Sequence, residues 1–412
     1  MEGERQQPPA AAAAASKVLD DDDLLAEILL RVALPTTLLR AALVCKRWLG
    51  HASGRAFLRR SRKLHPPRLL GFYVEGDRDV PADPPAFVPV LPQPAELAAV
   101  LRRASFSFDI YNGQLVQIHD CRNGSVFVQV GSEGRAVMRV HTPLCPRRPV
   151  AFIPPLPRPA LRPRGLCSFT QILSTEERGG LSYHYLYVES TVDEPETRLH
   201  VYVLQDGLWL PRPPLDMHQL PRPLLQPRPV LVDGRIYMPA GVSDIVVLDL
   251  TASSFSTIQL PRGAKHDGCG ATMLARAHDA SGVYFILVEE FRLLIWLHKG
   301  GNWSLVDTIC LREMCPGLRV LGCTAEDEES GLVIRRVGND AEFVLLQMGR
   351  CALHLDTRCR TLRKVYEQTE EHQCFGDIHP FMMIWHPTFP ALRGDHARFP
   401  VWPLDHLCSA LC

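Results

Sequence analysis

The first pattern along the chain is a helical one between residues 19 and 65. Apolar residues recur there at the spacing of one helix face, at Leu24, Leu25, Ile28, Leu29 and Val32. Acids at positions 20–23 precede them and can accept hydrogen bonds from the free amides at the start of a helix. A proline at position 35 ends the run, and a second apolar series leads toward position 48. The sequence predicts a small helical module over residues 18–65.

From about residue 72 the pattern changes to short apolar runs separated by Gly, Asp, Asn or Pro, which is typical of strands. A turn followed by an apolar strand recurs five times. Its glycines are Gly124, Gly180, Gly234, Gly282 and Gly331, at spacings of 56, 54, 48 and 49 residues. An aromatic residue that opens a strand recurs at Trp209, Phe255 and Trp303, at spacings of 46 and 48. A unit of about 50 residues with three or four strands is typical of a β-propeller blade.

Residues 69–395 accommodate six or seven such units. The expected fold class is therefore α + β and multidomain: a helical module followed by an all-β domain, most simply a six- or seven-bladed β-propeller. A β-sandwich with coincidental spacing is the alternative. Kelch blades share this period, but their double glycine does not recur at a constant place, so the domain is kelch-like at most. Residues 1–17 are expected to be a disordered leader, and residues 396–412 remain unassigned.

The balance of charge limits the partners. Lys and Arg number 45 and Asp and Glu also 45, so no overall field attracts nucleic acid or an anionic membrane. The longest apolar stretch, 283–297, is interrupted by three charges, and no membrane partner is expected. One local basic patch remains, and it is open to two interpretations, a solvated helix face or a phosphate-binding surface. Its residues are Arg55, Arg59, Arg60, Arg62, Lys63 and Arg68.

Cysteine usage and the absence of catalytic patterns restrict the function further. Thirteen cysteines without a secretory signal suggest free thiols and a location in the cytoplasm or nucleus. We find no phosphate-binding glycine loop, nucleophile elbow, His-Glu-x-x-His helix or paired Cys-x-x-Cys, so we expect neither an enzyme nor a cofactor. One group of potential metal ligands fits no standard zinc spacing, and no metal site is expected from it. Its members are His372, Cys374, His379, His386, Cys408 and Cys412.

The N-terminal residues resemble a known family. The run Leu19–Val32, followed by Leu38–Ala42 and Val44–Trp48, looks like the F-box, and the whole chain resembles a plant F-box protein with a β-rich substrate domain. Where the family has Leu-Pro, this chain has Leu19 and Asp20, at the first adaptor contact. The resemblance implies a module that docks on a Skp-type adaptor, which holds a cullin, a RING subunit and a ubiquitin-conjugating enzyme.

The same resemblance implies a function and a set of site residues. The chain would be the substrate-receptor subunit of a Skp-cullin-F-box ubiquitin ligase, with its β domain holding an unknown protein target. Alternatives are an F-box assembly or regulatory factor that does not direct ubiquitination, and a nucleic-acid-associated regulator that uses the basic patch. We expect Trp48 to be the strongest adaptor contact, and internal packing is the alternative role for the leucines. The adaptor-binding candidates are Leu25, Ile28, Leu29, Leu38, Val44, Cys45 and Trp48.

Overall fold

The structure is a computed structural model that divides into two compact units, Met1–Leu69 with Met382–Cys412, and Leu70–Phe381. The expected leader, apart from residue 17, and the expected tail lie outside the described residues. None of the described helices is long and apolar enough to cross a membrane. The structure describes residues 17–65, 68–76, 84–111, 113–122, 124–131, 136–157, 166–177, 180–191, 197–212, 215–216, 228–266, 270–277, 282–314, 331–368 and 376–383.

In the described part of the N-terminal unit, a helical turn at residues 17–20 is followed by four short helices: α1 (Asp22–Leu30), α2 (Pro35–Ala42), α3 (Lys46–Ser53) and α4 (Arg55–Leu64). Asp21 caps α1, because its side chain accepts from the backbone N–H groups of residues 23 and 24. A proline begins α2, where its missing N–H is not needed. The helices share one small core, formed by Leu25, Leu29, Leu30, Leu38, Ala42, Leu49, Ala52 and Phe57.

The described residues of the second unit form strands, one helix, α5 (Ala95–Arg103), and short 3₁₀ turns at Asp109–Tyr111 and Asn339–Ala341. The strands are β1 (Leu69–Val74), β2 (Ala86–Pro89), β3 (Val116–Arg122), β4 (Ser125–Val130), β5 (Val137–His141), β6 (Ala151–Ile153), β7 (Leu166–Glu177), β8 (Gly180–Thr191), β9 (Thr197–Gln205), β10 (Leu208–Pro211), β11 (Leu215–Asp216), β12 (Val230–Val232), β13 (Arg235–Ala240), β14 (Asp244–Asp249), β15 (Ser254–Gln259), β16 (Thr272–Arg276), β17 (Val283–Glu289), β18 (Arg292–Lys299), β19 (Asn302–Cys310), β20 (Leu332–Val337), β21 (Phe343–Met348), β22 (Cys351–Asp356), β23 (Thr361–Glu367) and β24 (Ile378–Met382).

These strands form six antiparallel sheets. In each of sheets 2 to 6, neighbouring strands are consecutive in the sequence. Their orders are β3-β4-β5-β6, β7-β8-β9-β10 with β11 also paired to β9, β12-β13-β14-β15, β16-β17-β18-β19 and β20-β21-β22-β23. Sheet 1 has the order β2-β1-β24, so it joins the two ends of the domain. The first strands of sheets 2 to 6 contact one another in succession. The domain is a six-bladed β-propeller. The sequence predicted six or seven blades, and the lower number is confirmed.

The apolar cores of the propeller lie between neighbouring sheets. One core combines residues of sheets 5 and 6, a second those of sheets 3 and 4, and a third those of sheets 4 and 5. Middle strands such as β14 are therefore buried, whereas the outer strand β15 is largely exposed. This arrangement explains the sequence pattern, because a strand covered on both faces is a continuous apolar run rather than an alternating one.

Four of the five turn glycines stand where the predicted repeat requires them. Gly124, Gly180, Gly234 and Gly282 lie at the starts of second strands, but Gly331 precedes β20, the first strand of sheet 6. The fifth match was therefore wrong in its phase. In sheet 6 the connection between first and second strands is the 3₁₀ turn, whose residues 340 and 341 adopt positive φ without being glycine. A glycine pattern does not detect such a turn.

Candidate functional site

Helix α1 presents apolar side chains in two neighbouring stripes, about 100° apart around the helix. Leu25 and Leu29 are 0% and 1% exposed and belong to the core of the module, whereas Leu24 and Ile28 are 46% and 38% exposed. Each pair is spaced by four residues, so each forms its own stripe along the helix. The inner stripe holds the module together, and the outer stripe is open to a partner.

The predicted adaptor residues divide in the same way. Leu25, Leu29 and Leu38 are buried, and Trp48 is half-buried against the core. Ile28, Val44 and Cys45 are exposed, with Val44 at 65%. The assignment of all seven to the adaptor contact stays a prediction.

Sequence reasoning did not propose four further exposed apolar residues of the module as adaptor contacts, Val18, Leu24, Leu43 and Leu64. The first three of these, together with Ile28 and Val44, make up what we call the exposed apolar set. The helical period had already placed Leu24 in a series with Ile28. Periodicity could not say which of two apolar stripes faces outward, because that depends on how the neighbouring helices pack.

A polar clamp fixes the start of α1. The guanidinium of Arg47 on α3 donates to the carbonyl oxygens of Leu19 and Asp20 at 2.6 and 2.7 Å. It also donates to Oδ1 of Asp22, with Nε at 2.8 Å and Nη2 at 2.7 Å. His51 Nε2 lies 3.0 Å from the same Oδ1. The hydrogen bonds from Arg47 and then His51 hold the pKa of Asp22 below its usual value.

Two contacts tie α1 to α4 at other points along the helix. Arg60 forms an ion pair with Glu27 at 2.5 Å, and the ring of His65 donates to the carbonyl of Leu30 at 2.7 Å. Arg60 is one member of the predicted basic patch, and this cation is already engaged within the module. Arg68 is exposed. The side chains of Arg55, Arg59, Arg62 and Lys63 lie outside the described part of the chain.

In the propeller, charged residues converge where the ring closes. Glu75 Oε1 accepts from the backbone N–H of Ile118 on β3 at 2.5 Å. Arg336 on β20 donates to the carbonyl of Ile378 at 3.1 Å and to Nδ1 of His379 at 3.0 Å, both on β24. Sheet 1 is thereby joined to sheet 6 on one side and to sheet 2 on the other.

Arg228 reaches this network from the other side of the ring. It precedes β12 in sheet 4, yet it contacts the carbonyl of Arg335 in sheet 6 and forms an ion pair with Asp377 at 2.8 Å. Because sheets 1 and 4 are opposite in a ring of six, this side chain crosses the middle of the propeller.

One group in this network has the composition of a metal site. Ligand atoms of Glu75, Asp377 and His379 lie within 4.8 Å of one another, and His379 Nε2 is buried without a hydrogen-bond partner. The chemistry does not fit a cation. Because Arg336 donates to Nδ1 of His379, Nε2 carries the proton, whereas a metal-bound histidine needs the reverse arrangement. The ion pair with Arg228 also neutralises the carboxylate of Asp377.

His379 is one of the six potential metal ligands that the sequence analysis grouped together. The other five lie outside the described residues.

The propeller region matches one protein-family model. Residues 117–389, about two thirds of the chain, match a family model described as "F-box protein AT5G49610-like, beta-propeller". The chain belongs to this family. The matched region of this F-box-protein propeller family runs from β3 to beyond β24, and the helical module precedes it.

Other comparisons are weak. No curated protein sequence matches the chain significantly. Among solved structures, it is similar to glutaminyl cyclase of Myxococcus xanthus, at 8% identity over 66% of this chain and 98% of that chain, with a TM-score of 0.28. Sqt1 of Saccharomyces cerevisiae is 11% identical over 63% and 65%, with a TM-score of 0.31. BamB of Moraxella catarrhalis is 13% identical over 63% and 75%, with a TM-score of 0.26. These similarities carry no argument about function.

Proposed function

We propose that this chain is the substrate-receptor subunit of a Skp-cullin-F-box ubiquitin ligase. The observation that carries the proposal is membership in the F-box-protein propeller family, in a chain whose N-terminal unit is a small helical module. The module binds a Skp-type adaptor, and through it the cullin and RING subunits. The propeller binds a protein target.

In this role the chain is not an enzyme. Ubiquitin transfer takes place on another subunit, and the receptor contributes proximity, because tethering raises the concentration of the target near the conjugating enzyme. No side chain of the receptor has to form or break a bond. The cytoplasm and nucleus are the compartments that we propose for it.

The adaptor contact is assigned to the outward-facing residues. Ile28, Val44 and Cys45 are exposed, and Leu24 and Leu43 extend the same apolar character. The buried leucines at positions 25, 29 and 38 support this surface from inside. An exposed apolar surface on so small a module is expected to be covered by a partner.

The first test is binding of the purified full-length chain to a Skp-type adaptor at low and high salt. We expect binding that survives high salt, because apolar contacts are not screened by ions. Ile28→Asp should abolish it, since a charge would be buried in the interface without a counterion. Val242→Asp, which alters another exposed β-branched residue, in a turn of the propeller, is the matched control and should bind normally.

The outcome also separates the alternatives. Absence of binding at either salt concentration would contradict the proposed function. Binding without ubiquitination of any co-purified target in a reconstituted ligase would favour the regulatory factor. Salt-sensitive association with nucleic acid would favour the regulator that uses the basic patch.

A further inference from the structure

The clamp around Arg47 lies at the position where this chain departs from the F-box pattern. Asp20 stands where the resembling family has proline, which fixes the backbone angle φ and removes conformational freedom. Here a side chain from another helix holds the same stretch. Arg47 donates to the carbonyls of residues 19 and 20 and to the carboxylate of Asp22, so three contacts within four residues restrict the segment.

The clamp also joins the two places that carry exposed apolar residues. Asp22 begins α1, which presents Leu24 and Ile28, and Arg47 lies in the first turn of α3, directly after the turn that presents Val44. The guanidinium therefore connects the start of one apolar stripe to the neighbouring exposed turn. Movement of this connection would alter the spacing between Ile28 and Val44.

We propose that Arg47 is a positioning residue of the adaptor-binding surface. It holds residues 19–22 against α3 and thereby keeps the exposed apolar set in the arrangement that the adaptor binds. The inference rests on the proposed function and names a residue that controls the same site without contacting the partner itself.

The chemistry of the clamp specifies which substitutions disrupt it. Lysine keeps the charge of Arg47 but has no planar fork, and it cannot serve all three acceptors in this geometry. Asp22→Ala removes the shared acceptor of Arg47 and His51. Asp22→Asn keeps an oxygen at Oδ1, so it preserves a hydrogen bond while removing the negative charge.

The experiment measures adaptor affinity of the full-length chain at a temperature where circular dichroism shows each variant to be folded. Arg47→Ala and Asp22→Ala should each weaken binding about tenfold. The double variant should bind only slightly more weakly than Arg47→Ala alone, because in the absence of Arg47 the change at Asp22 removes only the contact with His51. Asp22→Asn should retain most of the affinity. Amide hydrogens of residues 17–24 should exchange faster in Arg47→Ala before the adaptor is added.

Arg60→Ala is the matched control. Arg60 also forms an ion pair with an acid of α1, but it lies outside the clamp, so its removal should leave affinity unchanged. A general loss of helix stability would lower the adaptor affinity of both arginine variants alike. A positioning role of Arg47 would lower the affinity of the Arg47→Ala variant only.

Three results would overturn the inference. Normal affinity of a folded Arg47→Ala variant would show that the clamp does not position the surface. Loss in Arg47→Ala with normal affinity of Asp22→Ala, and with strong salt dependence, would mean that Arg47 contacts the adaptor directly. If the unaltered chain binds no adaptor, the proposed function itself fails and this inference fails with it.

Discussion

Trp209 and Trp303 occupy the same position, the second residue of the outer strand, in sheets 3 and 5. Each indole donates to a carbonyl at the end of the preceding sheet, Trp209 to Pro154 at 3.1 Å and Trp303 to Gln259 at 2.7 Å. Phe255 takes this position in sheet 4 and packs against the core between sheets 3 and 4. The recurring aromatic of the sequence therefore links neighbouring blades, by packing in every case and by a hydrogen bond where it is tryptophan.

The shared position of these aromatics gives a prediction for the indole N–H of Trp303. Trp303→Phe should lower the free energy of unfolding by about 1 kcal/mol, because the ring is kept and one hydrogen bond is lost. Phe255 shows that a phenyl ring suits the position. Trp303→Ala should cost more, since it also removes the packing. An unchanged free energy of unfolding for Trp303→Phe in urea denaturation would mean that the indole N–H contributes nothing.

At the scale of residues, the sequence revealed which positions recur but not which way their side chains point. The aromatic period and the helical period were both visible, and the aromatics do share one structural position. Which leucine of α1 faces outward was not visible, because the answer depends on where α4 packs. The network of Glu75, Asp377 and His379 was equally hidden, since its members come from both ends of the domain and meet only when the ring closes.

At the scale of elements, local signals predicted strands well and their phase less well. Turns at Asp206–Gly207 and Asp233–Gly234 have positive φ at both residues, which is the geometry that tight hairpins require. Glycine marks such turns in the sequence. The turn before β21 reaches positive φ with Asp340 and Ala341, so it left no comparable mark. The sequence could locate a hairpin only where the backbone needs glycine.

Two exposed glycines separate backbone strain from packing. An added Cβ would meet no atom within 4 Å at either Gly207 or Gly50, but φ is +75° at Gly207 whereas Gly50 lies within α3. Gly207→Ala should therefore destabilise the propeller by about 1 to 2 kcal/mol. Gly50→Ala should stabilise the helical module by about 1 kcal/mol. Amide hydrogen exchange of the full chain measures each unit separately.

A further variant controls this comparison. Asparagine tolerates positive φ better than alanine, so Gly207→Asn should cost less than Gly207→Ala. If both substitutions at Gly207 are harmless, the turn does not depend on the left-handed conformation that the structure gives it.

At the scale of the whole molecule, the propeller has a common response to acid. Burial lowers the pKa of His141 and of His184 to about 4, and the nearby Arg139 and Arg212 add to these shifts. Burial also lowers the pKa values of His298 and His354. These four histidines lie in sheets 2, 3, 5 and 6. In all four the folded ring disfavours the protonated form, so protonation is disfavoured in four of the six sheets.

The sign of the effect on stability follows from proton binding. Between about pH 4 and the ordinary histidine value near 6.5, the unfolded chain binds more protons than the folded chain, so stability falls as the pH falls through this range. His184, which is 4% exposed, should contribute a slope of at most about 1.4 kcal/mol per pH unit. In urea denaturation between pH 7.5 and 5, His184→Gln should have a shallower loss than the unaltered chain, and combining it with His141→Gln should reduce the loss further. At pH 7.5 the variants serve as their own reference, because the histidines are neutral in both states there. A slope that is unchanged in the double variant would show that other groups, carboxylates above all, determine the acid response of the ring.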